Sequence, residues 1–189
     1  MNYIVLIIAA IMISSIIVFS AVVHRISFRA VEVNFDDILC LYDKLRYGDS
    51  VTLNYDVYVR EKKHILSICF ENGCKDIPLF ETIISIRSSN LPEYGNNSLL
   101  CNDYFNFYTN RTHAILNSCI FIKEHDHTIV VYYVKPFREG RYSRLIFSEG
   151  GVDYVVLYVK NAKLLIDDVE VVEVSGFSIV ELRQVLLLP

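Results

Sequence analysis

The sequence predicts an α+β chain: a mainly antiparallel β domain behind an N-terminal transmembrane helix. Three observations lead there. No side chain from Met1 to Val23 is charged. One short stretch after it carries apolar residues at helical spacing. Beyond Ser50, apolar residues recur mostly at the period of a strand, in short runs separated by turn residues. The organisation that follows is an anchor over residues 1–25 and a β-rich globular domain over residues 26–189.

The run Tyr3–Val23 is long enough to cross a hydrocarbon core of roughly 30 Å as a helix. A helix is required there, because lipid offers no partner to open backbone groups. A cleaved signal peptide would have a shorter apolar region behind a basic start. This chain has neither. No Lys or Arg precedes the run, whereas His24, Arg25 and Arg29 follow it. The positive-inside rule then places the C-terminal domain on the cytosolic side. Two N-x-S/T sequons, at Asn96 and Asn110, point the other way.

Residues 34–48 read as a helix. Asn34 can cap it, and Asp37 suits the positive end of its dipole. Phe35, Ile38, Leu39, Tyr42 and Leu45 form its apolar stripe. Lys44 and Arg46 suit the last turn, and Gly48 stops it. Val51 to Val59 then alternates with polar residues as a half-buried strand. Arg60–Lys63 reads as a turn into a strand over His64–Phe70, and Asn72-Gly73 as a hairpin. Phe80–Arg87 fits helix or strand, and Ser88–Ser98 is a loop. Further strands are expected at Ala114–Ile122, Thr128–Phe137, Tyr142–Ser148, Val152–Val159 and Leu164–Val174. Turns are expected at His125, Gly140, Gly150-Gly151, Asn161 and Gly176.

With 13 Tyr, 11 Phe and no Trp, the composition favours strands. The formal charge of −4 is spread along the chain without a basic stripe, which argues against nucleic-acid binding. No P-loop, dinucleotide fingerprint, G-x-S-x-G or H-E-x-x-H occurs. The sequence therefore points to no catalytic residue, cofactor, metal or small-molecule substrate.

Of five cysteines, Cys69 and Cys74 flank the Asn72-Gly73 turn, while Cys101 and Cys119 lie in consecutive segments. These four are disulfide candidates whose pairing sequence cannot assign. Cys40 is the odd one out. Zinc is disfavoured, because paired Cys-x-x-Cys motifs are missing. Glu124-His125-Asp126-His127 could bind a metal, but it lies between two apolar strands and reads as a solvated turn. His64 and His113 read as packed or surface residues. Tyr104, Phe105, Phe107 and Tyr108 form an aromatic patch, either core or, if exposed, an interaction surface.

The layout resembles the per os infectivity factor 4 family, envelope proteins of baculoviruses and related insect viruses. An uncharged span followed by His24, Arg25 and Arg29 resembles the signal that sorts such proteins to the inner nuclear membrane. The segments Ile38–Asp49, Ile68–Cys74, Cys101–Tyr108 and Asn117–Ile122 carry the rest of the likeness. The resemblance implies a non-enzymatic virion envelope protein that reaches the envelope through the host endoplasmic reticulum and inner nuclear membrane. It implies a role in oral infection, within a complex of envelope proteins through which virions enter midgut cells. A domain facing the cytosol or nucleoplasm would end on the virion exterior. Its sequons would not meet the glycosylation machinery, and its disulfides would form late, with a viral thiol oxidase as helper. Two other classes fit the residues. One is a membrane-anchored surface or pilus-associated β-domain of a cellular organism. The other is a membrane-tethered enzyme or metal protein built on His125 and His127 or on a Cys–His pair. A type IV pilin is disfavoured, since no Lys/Arg-Gly processing site precedes the span and no acidic residue lies within it.

Overall fold

The computed structural model describes residues 33–95, 97–148 and 156–189. The expected transmembrane span, with His24, Arg25 and Arg29, lies outside them, as do Asn96 and Gly150-Gly151. Among the described residues no helix is long and apolar enough to cross a membrane.

Helix α1, Phe35–Arg46, forms where the spacing predicts it and buries Ile38, Leu41 and Leu45. Asp36 and Asp37 occupy its first turn, and Lys44 and Arg46 its last, so its charges complement the helix dipole. Asn34 holds the N-cap position in extended conformation, but its side chain makes no cap hydrogen bond. Gly48 ends the helix at φ +79°, and the Tyr104 ring lies 3.1 Å from where a Cβ would stand. Any other residue there would meet both backbone strain and that ring.

Strands β1 (Val51–Phe70) and β2 (Gly73–Arg87) form a long antiparallel hairpin, closed by the Phe70↔Gly73 pair. The turn expected at Arg60–Lys63 is absent, since β1 runs straight through it. Within it Lys62 stands opposite Glu81 in register, and Lys62 Nζ lies 3.6 Å from the Glu81 carboxylate. The ambiguous Phe80–Arg87 stretch is strand. Pro78, which lacks an N–H, sits beyond the β2–β5 ladder, where that edge of β2 needs no donor.

The chain continues through β3 (Tyr94–Gly95), β4 (Phe105–Asn110), β5 (His113–Ser118), β6 (Phe121–His125), β7 (Thr128–Pro136), β8 (Gly140–Ser148), β9 (Val156–Ile166) and β10 (Val169–Leu188). The expected strand Ala114–Ile122 is split into β5 and β6. The Cys119 amide turns aside to the Tyr104 carbonyl (2.8 Å) and the Ile120 amide to the Leu99 carbonyl (2.9 Å). The turns expected at Asn161 and Gly176 lie inside β9 and β10. Both have positive φ, and they form an irregularity in which Asn161 Oδ1 accepts the Gly176 amide at 2.8 Å. The chain reverses instead at Asp167-Asp168, where consecutive positive φ values (49° and 67°) suit a two-residue hairpin.

The described strands make one sheet in the order β3-β4-β5-β2-β1-β8-β10-β7-β6, with β9 also pairing β1 and β10. Pairing is antiparallel except between β10 and β7, which run parallel, so the sheet is mixed. Both β8 and β9 bridge β1 to β10, β8 on Val51–Val59 of β1 and β9 on Leu66–Cys69. Two separate cores result. One gathers α1 with Val57, Val59, Ile84, Phe105, Leu116 and Leu187. The other gathers Leu66, Leu79, Val131, Leu164 and Leu182. The β1–β2 register is unbroken from Tyr58 to Phe70. The change from odd buried positions (Val57, Val59) to even ones (Leu66, Ile68) therefore puts the cores on opposite faces of this ribbon.

Candidate functional site

The strongest polar cluster lies just past the crossover between the cores. His64 shares the buried face of β1 with Leu66 and Ile68 and is 2% exposed. Its Nε2 lies 2.9 Å from Oε2 of Glu81, which is also buried. Its Nδ1 lies 2.5 Å from Oδ2 of Asp167, on the β9–β10 turn. The other Asp167 oxygen accepts the Ile65 amide at 3.0 Å, and the Asp167 amide donates to the Ile65 carbonyl at 3.0 Å. The turn is thus fastened to β1 by backbone and side chain together.

Ionised carboxylates only accept hydrogen bonds, so the imidazolium, which donates from both ring nitrogens, is the form of the His64 ring that satisfies both partners at once. Its charge and that of Lys62 balance Glu81 and Asp167. Such compensation is what permits buried charge at all. Partial burial works to raise the Asp167 carboxyl. The hydrogen bonds from His64 and the Ile65 amide, with the positive charges of His64 and Lys62, outweigh it and hold the group below its ordinary value. With both ring nitrogens engaged, His64 has none to offer a substrate. The arrangement ties two hairpins together.

Sequence reasoning missed this cluster. It treated His64 as a packed or surface residue and singled out neither Glu81 nor Asp167. The available signal was parity. His64 falls in step with Leu66 and Ile68, and Glu81 in step with Ile77 and Leu79, so both were due to be buried and to need partners.

The cysteine candidates come together in two pairs. Cys69 and Cys74 are opposite each other on β1 and β2 and form a disulfide with Cα atoms 3.9 Å apart. Cys101 and Cys119 form the second, with Cα atoms 5.7 Å apart, and pin the loop before β4 to the β5–β6 break. Cys40 is free and exposed on α1.

The aromatic patch is largely turned into the core. Phe105 and Phe107 are buried on β4, while Tyr104 and Tyr108 are half-buried. Phe107 stacks on Tyr42 of α1 at 5.3 Å, and Tyr104 meets Phe121 edge-on at 5.1 Å. Phe107 thus seats the helix, while Tyr104 and Phe105 pack on Phe147. His125, Asp126 and His127 lie on the exposed β6–β7 turn, and among the described residues no three His, Cys, Asp or Glu side chains are placed to hold a metal ion together. Asn110 sits at the exposed β4–β5 turn, where its Oδ1 accepts the Thr112 and His113 amides at 3.0 and 2.8 Å.

No family model matches the chain, and no curated protein or solved structure matches it.

Proposed function

We propose that the chain is a viral envelope protein anchored by its N-terminal span, presenting a disulfide-pinned β domain that acts by contact with other envelope proteins. On this reading it is a non-enzymatic part of the complex through which virions enter midgut cells in oral infection. It reaches the virion envelope through the endoplasmic reticulum and inner nuclear membrane. The observation that carries the reading is the uncharged run Tyr3–Val23 followed at once by His24, Arg25 and Arg29. The domain suits a scaffold role, since its buried titratable cluster joins hairpins and leaves no imidazole nitrogen for chemistry.

The test is protease protection of a C-terminally tagged full chain in intact microsomes. A tag digested without detergent supports the reading, and a protected tag removes its topological basis. Deleting the gene from the virus should then abolish oral infection; intact oral infection would sink the proposal.

A second reading is a membrane-anchored surface domain of a cellular organism with its domain in the lumen. Two observations favour it: both cysteine pairs are bonded, and sequon residue Asn110 lies on an exposed turn. A glycan on Asn110 in the expressed chain would select this reading.

A further inference from the structure

We propose that His64, Glu81 and Asp167 form a proton-dependent latch that frees the β9–β10 turn from β1 when His64 loses its proton. The latch stands whether or not the proposed topology holds. A neutral imidazole has one N–H and one bare nitrogen. Once the ring releases a proton to solvent, one carboxylate faces a ring lone pair at hydrogen-bond distance. No other bond has to break for the conflict to arise.

The geometry decides which side yields. Glu81 is buried within the unbroken β1–β2 ladder and keeps Lys62 at 3.6 Å as a counter-charge. Asp167 belongs to a two-residue turn, and its side chain is 48% exposed. Rotation into water solvates the Asp167 carboxylate, whereas Glu81 has no such exit. The remaining neutral N–H can still serve Glu81. Leaving Nδ1, Asp167 also abandons the Ile65 amide, so both side-chain ties go together and only the backbone bond from the Asp167 amide to the Ile65 carbonyl is left to hold the turn.

The ionisable groups around the ring come from several elements. They are Glu81 on β2, Lys62 on β1 and Asp167 on the turn. From β7, Tyr133 packs on Phe80 with centroids 6.2 Å apart, and the Lys135 ammonium lies 4.0 Å from the same ring. Of the side-chain types gathered here, only an imidazole ordinarily changes charge near neutrality, so His64 is the switching member.

The test uses the full chain in detergent micelles, labelled with 15N-histidine, from about pH 5 to about pH 9, a range that brackets histidine titration. His64 should be doubly protonated at the low end. Where it loses its proton, exchange of the Asp167 and Ile65 amides, corrected for intrinsic rate, should rise about tenfold or more. Amides of the β4–β5 turn should not respond. In Glu81→Gln the new amide can donate to a bare Nε2, so the turn should stay fastened throughout. Asp167→Asn, at the half-exposed turn, should read the same way at Nδ1 if Glu81→Gln fails to fold. The latch is overturned if His64 titrates without a change in turn exchange, or if the carboxamide variants open at the same pH as the natural chain.

Discussion

Val59 and Leu66 lie on one uninterrupted strand, yet they bury their side chains on opposite faces of the sheet and in different cores. Strand β1 is therefore shared structure, and each core can be weakened without touching the other's packing. Leu66→Ala should cost about 2 to 5 kcal/mol, the range for emptying a buried leucine site. Val59→Ala removes less volume and should cost less. The two share no neighbours in either cluster, so the double variant should equal their sum within about 0.5 kcal/mol. Denaturant titration of the three variants checks this. A large coupling would mean the cores are one cooperative packing unit through β1.

The same face change explains what was legible in the sequence and what was not. Val51–Val59 alternates cleanly and was read correctly. Glu61, Lys62 and Lys63 looked like a turn, because local pattern cannot separate a reversal from a strand changing its buried face. Asn161 and Gly176 misled in the same way: positive φ suits a turn, and equally an irregularity inside paired strands. The parallel β10–β7 pairing and the final length of β10 depend on partners far along the chain. At the site, the cysteines were visible because only chemistry was needed to notice them. Asp167 was not, since its partner His64 lies on a distant strand.

Removing His64 should be severe. His64→Ala leaves Glu81 buried with only the half-exposed Lys62 beside it. Breaking a buried ion pair from one side costs about 3 to 5 kcal/mol. A fall in unfolding free energy of that size at neutral pH is expected from denaturant titration. A shift under about 1 kcal/mol, the size of a surface pair, would show that water already solvates Glu81.

Acid should loosen the same site through Asp167. Its carboxyl titrates below the ordinary value in the folded chain, so its stabilising effect is present above its unfolded pKa. The effect disappears as pH falls through the lower folded value, below about pH 4. Asp167→Asn should be less stable than the natural chain at neutral pH, and the gap should close towards acid. Thermal melts of both chains across that range measure it, and a constant gap would contradict the assignment.

The two disulfides should differ in weight. Cys101–Cys119 closes a chain separation of 18 residues, and Cys69–Cys74 one of 5. Chain entropy gives about 3 kcal/mol for the longer loop and about 2 kcal/mol for the shorter. The shorter also bridges strands that the β1–β2 ladder already holds, which lowers its effect further. Cys101→Ser should therefore be clearly more destabilising than Cys74→Ser in unfolding titrations. The reverse order would mean that the hairpin tip depends on its bond for register.

At the alkaline end the weak point is Tyr55, beside the helix. Burial pushes its phenol up to about 12, and the negative groups Asp37 and Cys40 of α1 add to the shift. An unfolded tyrosine ionises near pH 10. Below that, both states hold the proton and the group has no pH-dependent effect. From about pH 10 towards about 12 the unfolded chain loses the proton first, so stability falls as pH rises. Tyr55→Phe removes the ionisable group and keeps the ring, so it should flatten this limb. Melting temperatures of the two chains between about pH 9 and about pH 11 provide the comparison. Parallel curves would place the alkaline weakness elsewhere, whereas divergence above about pH 10 would locate it where β1 passes under α1.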